Sequence, residues 1–115
     1  MKYERLEVWQ RGFKLSIQIY RLFTNIKDFG FKDQITRAGL SVPSNIAEGM
    51  ERESDKEKAR FLSIAKGSVG ELKTQIMIAQ EIGYMSSDNC TRLTTECEHI
   101  SKMLGGFIKT LRKNI

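Results

Sequence analysis

The chain has 115 residues, of which 40% are hydrophobic, 29% charged and one a proline. That length suits one domain with its own core, and the composition excludes a disordered tail, a fibrous repeat or a turn-rich β-sandwich, which leaves an all-α fold. Nineteen Lys and Arg against fourteen Asp and Glu give a net charge of +5, a balance that suits an acidic partner such as RNA without requiring one.

Met1-Lys2-Tyr3-Glu4-Arg5 has no apolar run behind it, so it does not read as a signal peptide, and no segment has the length of a membrane span; a cytoplasmic protein is expected. The first periodic segment, about Glu4 to Thr24, carries two apolar stripes. Leu6, Trp9, Phe13, Ile17 and Tyr20 form one, and Val8, Leu15, Ile19, Leu22 and Ile26 form another about 130° away at 100° per residue. A helix apolar on two faces has two surfaces to bury: one belongs in the bundle core, and the second predicts contact with another copy of the chain, unless its own chain covers it. Arg11 and Lys14 lie on the remaining polar arc.

After a connection at Asn25 to Gly30, Phe31, Ile35, Ala38, Val42 and Ile46 predict a second helix ending near Gly49 to Arg52. Pro43 falls inside it, four residues after Gly39, which predicts a kink; the alternative is a break with Asn45 capping a short piece. Arg37, Ser41, Ser44, Asn45, Glu48 and Arg52 share one face of this helix. Ser and Asn compete for backbone hydrogen bonds and are costly in a helix interior. This polar line therefore reads either as a network fixing helix register or as a ligand site.

Ser54-Asp55-Lys56-Glu57 spells a capping box, and Phe61, Ala65, Ser68, Leu72, Ile76 and Ala79 continue a third helix to a stop at Gly83. Ser68, Glu71 and Gln75, with Thr74 beside them, form a second polar line able to bond with the first. Ser86 or Ser87 caps a fourth helix with Leu93, Cys97, Ile100, Leu104, Phe107, Ile108 and Leu111 on one stripe. Short connections between long amphipathic helices predict an antiparallel up-down-up-down four-helix bundle in a single domain, residues 1–115.

Charge is uneven along the chain. Residues up to Thr24 hold five basic and two acidic side chains, those from Met85 onward five and three, and the two middle stretches balance. The predicted topology brings the two ends together, so Lys2 and Arg5 would share a pole with Lys109, Arg112 and Lys113, extended by Arg11 and Lys14. These seven are the candidate nucleic-acid contacts.

Catalytic patterns are weak. Glu96-Cys97-Glu98-His99 holds the only histidine, so the paired Glu-x-x-His sets of a two-metal bundle cannot be built. Cys90 and Cys97 fall on the core stripe as reduced thiols, and no phosphate-binding glycine loop is present. A non-enzymatic protein with no metal and no cofactor is expected.

Leu6-Glu7-Val8-Trp9-Gln10, Gln34-Ile35-Thr36-Arg37-Ala38, Ser41-Val42-Pro43-Ser44-Asn45-Ile46-Ala47-Glu48-Gly49 with Arg52, Ile64-Ala65-Lys66-Gly67-Ser68, Glu71-Leu72-Lys73-Thr74-Gln75 and Gly83-Tyr84 resemble the bacterial four-helix-bundle proteins encoded in intervening sequences of 23S rRNA genes, often labelled ribosomal proteins. The resemblance covers most of the chain up to Tyr84, and S-V-P-S-N-I-A-E-G is its most specific motif. It implies a homopentamer and kinship with the accessory protein of diversity-generating retroelements, a pentameric barrel that binds nucleic acid and a reverse transcriptase. Two positions depart from the pattern: Lys27-Asp28-Phe29-Gly30 stands where a proline is common, and Gly39 where alanine is. The expected function is RNA binding by a homo-oligomer through its basic surface; the alternative is a protein-binding scaffold whose charge serves solubility.

Overall fold

A computed structural model describes residues 2–115. A short 3-10 turn, Tyr3–Arg5, is followed by four helices: α1 Glu7–Leu22, α2 Phe29–Met50, α3 Asp55–Glu81 and α4 Ser87–Arg112. Each packs on its sequence neighbours, and α1 also meets α4, closing an all-α four-helix bundle 45 × 21 × 20 Å in extent. Contacts climb one helix as they descend the next. Gly12 lies against Val42 and Pro43, and Gly39 against Ser16 and Ile19; Lys73 reaches Glu98 while Arg112 reaches Ser63.

The ends of the helices follow their capping chemistry. Ser54 accepts the Glu57 amide at 3.1 Å and Ser86 the Asn89 amide at 3.1 Å, each satisfying one of the amides that a helix start leaves without an intrahelical partner. Glu57 does not complete the predicted box: its carboxylate turns to Arg60, 3.0 Å away. Gly83 ends α3 at φ +83°, a conformation that glycine adopts without Cβ strain.

Two expectations need correction. The first helix does not begin at Glu4, because Leu6 is extended and separates the 3-10 turn from α1. The second begins at Phe29, where Asp28 accepts the Phe31 amide at 3.1 Å; the same carboxylate accepts the Tyr84 hydroxyl at 2.9 Å, tying the start of α2 to the α3–α4 connection. That hydrogen bond holds the Tyr84 phenol above its ordinary pKa. As expected, α2 is one helix through Pro43, and the alternative, a break with a short piece capped by Asn45, does not form.

The core gathers one face of each helix: Val8, Leu15 and Ile19; Ile35, Val42 and Ile46; Leu62, Leu72 and Ile76; Leu93, Ile100 and Leu104. On α3 the buried line is rotated from the predicted one. Leu62 and Val69 enter the core, while Phe61 and Ser68 sit at its margin.

Candidate nucleic-acid interface

The second stripe of α1 is only partly covered by its own chain, with Leu6 and Trp9 packed against the core. Trp9 stacks on Phe13 with ring centroids 5.0 Å apart, yet Phe13 is 44% and Tyr20 46% exposed, and Leu40 of α2 is 48% exposed. Isolated apolar side chains are ordinary on a surface, but this ridge repeats along the helix. On α3, Ile64, Ile78 and Ile82 are exposed as well.

The polar lines of α2 and α3 meet at one point. The Ser41 and Ser68 hydroxyls lie 2.8 Å apart, and the Asn45 amide donates to the Ser41 hydroxyl at 2.8 Å and to its carbonyl at 2.9 Å. The other members are elsewhere. Arg37 pairs with Asp33 at 2.8 Å and Arg52 with Glu48 at 3.2 Å, both on the exposed side of α2. Ser44 and Glu71 are exposed, and Thr74 donates back to the Gly70 carbonyl. Gln75 is partly buried, with an Oε1 that lacks a partner among the described residues.

Of the seven candidate contacts, Arg11 is engaged by carboxylates, with Glu7 at 2.9 Å and Glu96 at 2.8 Å. Its hydrogen bond to Glu7 and the charge of Glu96 raise its pKa. Lys14 is exposed on α1. Lys2 and Arg5 are exposed on or beside the 3-10 turn, which packs on α1 and α2. Arg112 stands against α3, with Lys109 and Lys113 exposed beside it at the end of α4. Arg112 donates to the Ser63 hydroxyl at 3.3 Å, and Asn114 to Asp55 at 3.1 Å, which sets the end of α4 beside the start of α3.

Arg112 is shared by three recesses along this α3–α4 surface, of about 590, 390 and 380 Å³. Two of them set Lys56, Arg60 and Lys66 from α3 opposite Arg112, and the third, lined by the end of α4, adds Lys109 and Lys113; Glu57 is the single acidic side chain in their lining. The three α3 cations were missed in the sequence because they fall in stretches whose charges cancel. Glu57 shares their wall and Asp55 reaches Asn114 beside it, so the cluster emerges only when the fold sets the end of α4 against α3.

At the other end of the same helix pair, Met77, Ile78, Cys90 and Thr94 line an apolar recess of about 660 Å³. Cys97 is buried, and burial pushes its thiol up to about 12. His99 is exposed, with Nδ1 3.8 Å from Glu96. No group of three or more His, Cys, Asp and Glu side chains able to hold a metal is found among the described residues. No described helix is long and apolar enough to cross a membrane.

The fold is similar to that of a crystal structure from Bacteroides thetaiotaomicron, a protein of unknown function from the S23 ribosomal protein family. The TM-score is 0.83 with 24% identity, over 89% of this chain and 98% of that one. No curated protein sequence matches the chain. The family model described as 23S rRNA-intervening sequence protein matches residues 4–106. The match takes in all of α1, α2 and α3, the S-V-P-S-N-I-A-E-G motif and most of α4, and the chain belongs to the family of 23S rRNA-intervening sequence proteins.

Proposed function

We propose that this protein is a non-enzymatic, self-associating bundle that binds RNA in the cytoplasm through its basic surface. The observation that carries the reading is the end of α4: Lys109, Arg112 and Lys113 are exposed or at the surface, and none is paired with a carboxylate among the described residues. Such side chains neutralise phosphates and release counterions, giving affinity with little base specificity.

Self-association supplies repetition. The α1 ridge and the isoleucines of α3 lie on different helices, and a head-to-tail contact that joins one to the other around a ring covers both, whereas a two-fold contact through one patch leaves the other in water. The pentamer implied by the family resemblance is such a ring, and several weak phosphate sites on one assembly multiply in affinity. A second reading, a scaffold for another protein, draws support from the apolar recess at Met77 and Ile78.

Binding of a labelled structured RNA at several salt concentrations tests the proposal. Affinity that falls steeply with salt and is weakened by Arg112→Glu with Lys113→Glu supports it; absence of binding at low salt overturns it and leaves the scaffold.

A further inference from the structure

The whole-chain charge of +5 is localised. The three recesses around Arg112 are walled by six cationic side chains and one carboxylate, which leaves thirteen basic and thirteen acidic side chains everywhere else. The excess of the entire molecule thus equals the excess of one groove. Within it, Glu57 and Arg60 engage each other at 3.0 Å, which leaves Lys56, Lys66, Lys109, Arg112 and Lys113 to meet any ligand that enters.

Its shape is as specific as its charge. Lys56 to Lys66 spans about 15 Å along α3, at 1.5 Å per residue, opposite the last turn of α4. Gly67 and Gly105 line the recess between Lys66 and Arg112 together with Ser63 and Ile108, and nothing lies within 4 Å of where a Cβ at Gly67 would stand. A ligand backbone therefore approaches closely at Gly67. Packed helices have axes about 8–10 Å apart, so the furrow between them admits one strand and not a double helix. No aromatic side chain lines any of the three recesses, which removes base stacking as a source of affinity.

Resting on the RNA-binding reading above, we infer that the α3–α4 groove is the binding channel, and that its ligand is the phosphodiester backbone of single-stranded RNA. Lys56 and Lys66 contact phosphates from α3, and Arg112, with Lys109 and Lys113 beyond it, from the end of α4. Lys2, Arg5 and Lys14 are bystanders.

The test uses a fluorescein-labelled 20-nucleotide oligouridylate, the same RNA annealed to its complement, and the full-length protein. Two doubly reversed variants alter the groove: Lys56→Glu with Lys66→Glu, and Lys109→Glu with Lys113→Glu. Two control pairs with the same charge change, Lys2→Glu with Arg5→Glu and Lys14→Glu with Arg21→Glu, lie outside it. The expected result is at least tenfold weaker binding for either groove variant and less than twofold for the controls. The salt slope of log affinity falls by about 1.4 in a groove variant, for two phosphates at about 0.7 each on a single strand. The annealed duplex binds more weakly than the single strand. Should one groove variant misfold by circular dichroism, the other wall gives the same readout. Equal losses in groove and control variants, or equal affinity for the duplex, overturn the channel while the RNA-binding reading stands. No binding by the unaltered protein at low salt overturns both.

Discussion

The hydroxyl of Ser41 lies 2.8 Å from that of Ser68, the contact at which the polar lines of α2 and α3 meet. Asn45 joins it through Ser41, while Glu48 stays outside in an exposed pair with Arg52. Removing a partly buried hydrogen-bonding group leaves its partner unsatisfied, at a cost of about 1–2 kcal/mol. Ser41→Ala and Asn45→Ala are expected to lower the free energy of urea unfolding by that amount. Glu48→Ala is expected to change it by less than about 0.5 kcal/mol, the usual scale for an exposed pair. Equal effects at Asn45 and Glu48 would contradict this division.

Two glycines within helices have opposite surroundings. A Cβ at Gly49 would come to 3.0 Å from Phe61 Cβ and 3.3 Å from the Lys58 carbonyl, neither at the end of a flexible side chain, whereas one at Gly70 meets nothing within 4 Å. Gly49→Ala should destabilise by about 1–3 kcal/mol through forced backbone shifts. Gly70→Ala should stabilise by about 0.5–1 kcal/mol through helix propensity. Thermal unfolding of the two variants gives shifts of opposite sign.

The Cys97 thiol has a folded pKa raised from 9.0 to about 12 by burial. A raised folded pKa means that the native state favours the protonated thiol. Its contribution to stability is therefore full below pH 9 and is lost as pH climbs from 9 toward 12. The urea midpoint should fall across that window, and Cys97→Ala should flatten the fall. At pH 8.5 the folded thiolate population is lower by roughly a thousandfold than in the unfolded chain, so iodoacetamide should modify Cys97 far faster in urea than in buffer.

The exposed α1 ridge predicts a change in mass. Phe13→Glu with Tyr20→Glu places two charges where the proposed ring needs apolar contact, and light scattering should show the unaltered protein as an oligomer and the variant at 13 kDa with its helicity retained. A compact monomer before substitution would remove the ring.

Much of the fold was legible because its determinants are local. Ser54, Gly83 and Ser86 each act within a turn of their own position, and the stripes of α1 and α4 repeat often enough to fix a phase. The start of α2 was hidden because Gly30 reads as loop while Asp28 caps from two residues earlier. The rotation of α3 was hidden because small residues cover much of its surface: Ala65 and Ala79 are compatible with several phases, and only contact with α2 and α4 selects Leu62 and Val69 over Phe61. The candidate groove was half visible. Lys109, Arg112 and Lys113 stand out in sequence, but Lys56, Arg60 and Lys66 are interspersed with acids and join the cluster only when the bundle sets the end of α4 beside the start of α3.

The seam between α1 and α4 is the least extensive of the four between neighbouring helices. It is bridged by Arg11 to Glu96 and by Arg92 to Gln18, charged or polar groups near the surface. The bundle consequently has a stave that loosens first. Amide protons of α1 should exchange with solvent sooner than those of α3, clamped on both flanks. Whatever fastens the aromatic ridge of α1 from outside would tighten that stave and slow the unfolding of the whole cask.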